Sequence, residues 1–398
     1  LTQMSKWLGL PLLVLLMAAC SPNFDSEEEV VQETDEEEQT EEDQQMIVSP
    51  DQLDTNDYRM VLPYQPSAAR GTITNQISNR YDIDEFEQGL TRLSKDPFSP
   101  DDYLFQEGQY LDESTVFDWI NDFNPERPED LEEDLEDAQD ANAEDEVDAI
   151  VDELETYKEE NPRVVSHILE QNYLTRAEEN RVELAGVSIG IALKSDYQFS
   201  VNYEATNNVA IDKNEMLQIG KETAGQILER VRGMEELQDV PIMLALYREN
   251  SPNASVPGSF VTKAVVEPND MTVNEWQSLD EKTVLFPSSE AEDNHYEDSE
   301  MFTGFSQDVS DYFPNYIGVI GRGFYKDGEL QELSINIPVE FHGKQEVIGF
   351  TQHASSLMAE HFPSYFDLEV TVESASRQEA VLFRDAGAED ITHHIYHD

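Results

Sequence analysis

A single cysteine stands in 398 residues, so neither an internal disulfide nor a cysteine-rich metal cluster can form within the chain. Basic side chains are scarce as well: 24 Lys and Arg face 86 Asp and Glu, a formal net charge of −62. A surplus of that size repels phosphate backbones and anionic headgroups, which argues against nucleic acid as a partner. It also repels itself and raises the cost of compaction unless salt screens it. A salty or alkaline setting and a salt-adapted surface are therefore expected. Hydrophobic residues make up only 38% of the chain, yet 16 Tyr and 18 Phe supply enough bulky apolar surface for most of it to fold. The length leaves room for two or three domains.

What is present begins with an address. Residues 1–20 read LTQMSKWLGLPLLVLLMAAC, with Leu1–Gln3 looking like an extension ahead of Met4. Lys6 marks a short basic region, Trp7 to Met17 an apolar run, and Ala18-Ala19 the small residues before a cut. That is the layout of a secretory signal over 1–19, and the run is shorter than the roughly 20 residues of a membrane span. Cys20 follows directly, and Met17-Ala18-Ala19-Cys20 resembles a bacterial lipobox. Its thiol would become a thioether to diacylglycerol, whose two acyl chains anchor stably where one would not. Such maturation requires a signal peptidase and a lipid transferase as partners, and it attaches the chain to a membrane. The same run also reads as an ordinary secretory signal with an incidental cysteine. The lone thiol lies at the one position where lipid transfer needs it, which favours the lipoprotein.

Residues 20–57 are about half acidic through their first part, with no basic side chain over 21–45. Nothing there can build a core, so a self-repelling, disordered tether is expected. Residues 58–175 read as a helical and irregular segment. In it, Ile83, Phe86, Leu90 and Leu93 are spaced for one helix face. Acidic residues 129–160 read as an exposed helix or a partly disordered insertion, and VVSHILEQNYL (Val164–Leu174) as a core helix. A pattern then appears twice, as hairpin, helix and three strands. The first copy spans 176–287, opening on VELAGVSIGIAL (Val182–Leu193). The second spans 311–398, opening on YIGVIGRGFY (Tyr316–Tyr325), and residues 288–310 form an acidic linker. Lys326-Asp327-Gly328 is a hairpin turn signal. The expected fold is α+β, a tandem repeat with mostly antiparallel sheets.

Several of these phrases together resemble the CamS family of sex-pheromone lipoproteins of Gram-positive bacteria. They are YDIDEFEQGLTRLSK (Tyr81–Lys95), FSPDDYLFQEGQYL (Phe98–Leu111), ILEQNYL (Ile168–Leu174), GVSIGIALKS (Gly186–Ser195) and the closing HHIYHD. The resemblance implies a protein on the outer face of the cytoplasmic membrane, held in the cell envelope by its lipid. It further implies that a short apolar peptide from the signal tail is released as a conjugation pheromone and read by a receptor. The matching residues are Leu13-Val14-Leu15-Leu16-Met17-Ala18-Ala19. The family's pheromone begins with Ala and has an aromatic near its middle. LVLLMAA has neither, and it also reads simply as a signal core.

Catalytic patterns are weak. Gly186-Val187-Ser188-Ile189-Gly190 fits G-x-S-x-G, but a nucleophile elbow needs a sharp turn at the serine, and this one sits inside an apolar strand-like run. Six of eight histidines fall after position 340, and His353 and His361 lack the spacing of a zinc helix. With so many carboxylates no acid–base pair can be singled out. The expectation is a non-enzymatic binding module without metal or cofactor. The alternative is a solute- or peptide-binding surface lipoprotein without pheromone activity. A cleft between the repeats, lined by aromatics such as Tyr173, Tyr197, Phe324 and Tyr325, is the place to look.

Overall fold

The computed structural model describes residues 57–397 apart from 78, 178–180, 203–204, 313–317 and 341–342, together with two earlier strands at 28–32 and 46–48. The signal, the lipobox, Cys20 and residues 13–19 lie outside the described residues. The two earlier strands, β1 (Glu28–Gln32) and β2 (Met46–Val48), come from the acidic stretch. They pair with each other, and β2 pairs with β3 (Arg59–Leu62) at one edge of the first sheet.

Helix α1 (Arg80–Ser94) is the one its apolar spacing predicts. Asn79 caps it by accepting the Tyr81 N–H at 3.0 Å, and Phe86, Leu90 and Leu93 face the sheet. Strand β4 (Leu104–Glu107) leads to α2 (Glu113–Phe123), whose cap Asp112 accepts the Thr115 N–H at 2.7 Å. The acidic insertion is an ordered helical hairpin, α3 (Glu129–Asp140) and α4 (Glu144–Glu160). Its thin apolar line of Leu135, Ala138, Val151 and Leu154 is buried, and all but Ala138 join the main core. The acidic side chains stay on the outer faces.

Strands β5 (Val165–Arg176) and β6 (Arg181–Leu193) form a long antiparallel hairpin. A small two-stranded ribbon follows, β7 (Asp196–Phe199) with β8 (Asn207–Ala210), then α5 (Lys213–Val231). Strand β9 (Ile242–Arg248) returns parallel to β6, and β10 (Ser259–Val266) and β11 (Gln277–Ser278) continue antiparallel. The second unit is β12 (Glu281–Phe286), α6 (Ser289–Asn294), α7 (Tyr296–Tyr312), β13 (Ile320–Lys326), β14 (Glu329–Pro338), α8 (Lys344–His361), β15 (Asp367–Glu373), β16 (Gln378–Arg384) and β17 (Thr392–Ile395).

The two sheets have one topology. The first contains the run β4-β5-β6-β9-β10-β11, extended beyond β4 by β3, β2 and β1, and the second is the run β12-β13-β14-β15-β16-β17. Within each run, the first strand leads through helices to a hairpin, a helix crosses to the run's single parallel pairing, and two antiparallel strands close the sheet; in the first sheet β3 adds a parallel pairing on β4 and β1 one on β6. The expected tandem α+β repeat is what folds, but its phase differs in the first unit. Val164–Leu174, expected as a helix, is strand β5. It is buried on both faces along most of its length, so the period-2 alternation that marks a strand is absent from the sequence. The first hairpin is thus β5–β6, so Val182–Leu193 is its second strand and does not open the unit. Thr283–Phe286 opens the second unit instead of closing the first, and 288–310, expected as a linker, is mostly helix.

Strand β6 lies between α1 and α5, and its glycines are spaces for side chains. A Cβ on Gly186 would stand 2.1 Å from Phe98, and one on Gly190 2.9 Å from Phe86. Phe98 in turn stacks on Tyr173, ring centroids 4.7 Å apart. Ser188 between the glycines is buried and shares a hydrogen bond with the Ser94 hydroxyl at 2.7 Å. The G-x-S-x-G pattern is explained by packing.

Candidate functional site

A slot of about 300 Å³ lies in the first unit, between α1, the 67–73 loop, the start of α2 and the outer edge of β5. Its mouth carries Arg70 from the loop, Glu87 and Gln88 from α1, and Glu107 from the end of β4. Burial and the neighbouring Glu107 carboxylate push the Glu87 carboxyl up, against the pull of Arg70. Glu107 is fixed from two sides: its carboxylate accepts the Tyr64 hydroxyl and the Ser67 N–H, the latter at 2.6 Å. Phe105, Leu111, Val116 and Ile168 supply apolar walls.

Two groups at the base come from β5. Glu170 is buried, and its carboxylate oxygens accept the backbone N–H groups of Gln109 (3.1 Å), Tyr110 (3.1 Å) and Leu111 (2.7 Å). Burial raises its carboxyl, and those three donors pull it back down. This contact holds the 108–111 loop that starts α2. His167 is 2% exposed, and burial alone brings its imidazole down to about 4, so it is neutral at pH 7. Its Nδ1 has no hydrogen-bond partner. On the α1 side, Gln171 donates to the Glu87 carbonyl at 3.0 Å and accepts the Thr91 hydroxyl at 3.2 Å, stitching the helix to the strand.

A second concavity of about 350 Å³ lies between the units. Two arginines cross it in opposite directions. Arg92 of α1 contacts Glu85 at 2.6 Å and the buried Glu281 of β12 at 3.0 Å, its guanidinium 4.3 Å from the centre of the Phe324 ring. Arg322 of β13 lies 4.5 Å over Tyr81, donates to its hydroxyl at 2.7 Å and reaches the Ser255 carbonyl at 3.2 Å. The reciprocal stacking reads as a clasp.

The four aromatics nominated from sequence do not converge. Phe324 lines the inter-unit cleft. Tyr173 is wholly buried beneath Phe98, and Tyr325 is buried with its hydroxyl on Asp298 at 2.7 Å. Tyr197 packs on Phe199 of the small ribbon. Among the histidines, His361 bonds Asp308 at 2.7 Å and His353 stacks on Tyr312. Among the described residues, no three ligating side chains stand close enough to hold a metal ion. A helical reading of 164–174 misses the roles of His167 and Glu170: it sets them on one helix face, whereas the strand sends His167 toward α1 and Glu170 toward the 108–111 loop, on opposite faces beside the edge that lines the slot.

Two copies of one six-strand topology, with a slot in the first copy and a clasped cleft between them, define a class of tandem-repeat α+β proteins. A sex pheromone precursor from Lactobacillus salivarius shares this fold at TM-score 0.77 and 26% identity, over 89% of this chain and 99% of its own. The C-terminal domain of the sex pheromone staph-cAM373 precursor from Staphylococcus aureus matches at TM-score 0.65 and 27% identity, over 82% of this chain and 100% of its own. The family described as CamS sex pheromone cAM373 precursor matches residues 64–390, and this chain belongs to that family. No curated protein matches the chain.

Proposed function

We propose that this chain is a lipid-anchored precursor, displayed on the outer face of the cytoplasmic membrane, whose folded part binds a ligand without catalysis. The observation that carries the anchoring is the position of the only cysteine, directly after a signal-like run and two small residues. Among the described residues no helix is long and apolar enough to cross a membrane. Diacylglycerol on Cys20 supplies the attachment, and the acidic residues ahead of β1 stand between the lipid and the first sheet. The enclosed slot, with its unpartnered His167 nitrogen, favours binding, and the burial of Ser188 in β6 counts against a serine nucleophile.

Two measurements test the two halves of the maturation. Radiolabelled palmitate should enter the membrane-fraction protein, and Cys20→Ala should abolish both labelling and attachment. A variant that stays labelled and attached removes the anchor. Mass spectrometry of culture supernatant should find Leu13–Ala19, LVLLMAA or a trimmed form of it. If no such peptide is found and synthetic LVLLMAA evokes no response from recipient cells, a surface lipoprotein with a binding slot is left and the precursor role falls.

A further inference from the structure

The outer edge of β5 is open over a very short window. On one side β4 covers it as far as Glu170, whose carbonyl accepts the Gly108 N–H at 3.2 Å. On the other, the Asn124 side chain accepts the Val165 N–H at 3.0 Å and donates to the Val165 carbonyl at 2.8 Å. Backbone groups alternate in direction along a strand, so Ile168 points to the same edge as Glu170. Ile168 is 1% exposed and lines the slot beyond the end of the β4–β5 ladder; β6 pairs with it through Ile191 on the other edge. Beside it lies His167, equally buried, with Nδ1 unpartnered. Buried backbone and imidazole groups are nearly always paired, so an open peptide group and an orphan nitrogen in one cavity mark what a ligand would satisfy.

We propose that the slot receives the amino-terminal end of an apolar peptide, which lies against Ile168 as one residue of added antiparallel strand. This rests on the reading of the slot as the binding site and names its ligand class. A peptide unit carries both the donor and the acceptor that the Ile168 edge requires. Gly108 and Asn124 block the strand direction on either side, so a through-running chain has no path and only an end fits. The mouth selects which end: Glu87 and Glu107 outnumber Arg70, complementing an ammonium and opposing a carboxylate. Phe105, Leu111 and Val116 receive the first apolar side chain.

The test uses the full chain and the tripeptide amide Leu-Val-Leu-NH₂, with its Nα-acetyl form as the control. Titration followed by NMR should show the free-amine peptide binding and the Ile168 amide exchanging at least about tenfold more slowly at saturation. Nα-acetylation, and separately Glu87→Gln, should each weaken binding by about tenfold, the loss of one partly desolvated charge contact. Three results overturn the proposal. Equal affinity for both peptides removes the ammonium. Unchanged Ile168 exchange, with shifts at Phe105 and Leu111, removes strand addition but keeps the slot as a binding site. No shift at any slot residue removes both, leaving a water-filled cavity.

Discussion

Glu170→Gln is expected to destabilise the folded chain by about 3 kcal/mol and to release the loop that walls the slot. The side chain is 4% exposed, and its two oxygens take three backbone donors from residues 109–111. An amide keeps one accepting oxygen and turns the other position into a donor. In one orientation the NH₂ group faces Leu111 N–H, and in the other it faces Gln109 N–H. An orphaned buried donor costs about 1–3 kcal/mol, and the donor–donor contact adds to it. Relaxation is blocked, because Gly108 already touches this side chain: a Cβ there would lie 2.6 Å from the Glu170 Cβ. Urea unfolding at pH 7 measures the loss, and hydrogen exchange at 109–111 should accelerate in the native state. A change under about 0.5 kcal/mol would mean that the loop is held by other contacts.

The contact also shows why the site was harder to read than the fold. Helix α1 declared itself through Ile83, Phe86, Leu90 and Leu93, and the β13–β14 turn through Asp327-Gly328, where Asp327 has φ 53° and Gly328 φ 82°. Those signals are local. The period of β5 is not, because burial on both faces makes its polar residues Ser166, His167, Glu170, Gln171 and Asn172 answer to tertiary partners. Their side chains meet α1, the 108–111 loop and β9, which lie far away in sequence. The phase error in the first repeat has the same origin: β6 is an unbroken apolar run that resembles either strand of a hairpin. The second unit was easier, since β13, β14 and β15 bury one face and alternate. The Arg92 and Arg322 clasp has no sequence signature, only the scarcity of basic residues that makes each one worth tracing.

A second buried carboxylate gives the chain a pH dependence of definite sign. Glu249 follows β9 and is 6% exposed. Burial raises its carboxyl to about 7, even though it accepts the Ser166 hydroxyl and faces Lys194, while Asp82 pushes it further up. The ordinary value is 4.5, so the folded state binds this proton more tightly than the unfolded chain. Below pH 4.5 both states are protonated and the group's favourable contribution is complete. Between 4.5 and 7 the unfolded chain ionises first, and stability falls by up to about 1.4 kcal/mol per pH unit. Above 7 both states are ionised and the loss, about 3 kcal/mol, is complete. Glu249→Gln keeps an acceptor for Ser166 and removes the titration. The variant should therefore match the parent near pH 4 and exceed it by about 3 kcal/mol at pH 8, read from urea midpoints across that range. A gap that stays constant with pH would place the proton elsewhere. At alkaline pH the parent retains an ionised Glu249 near Lys194, whose own ammonium is disfavoured by burial. Lys194→Met would then leave that carboxylate with less support, so the substitution should lower stability more at pH 8 than at pH 4, opposite in sign to Glu249→Gln.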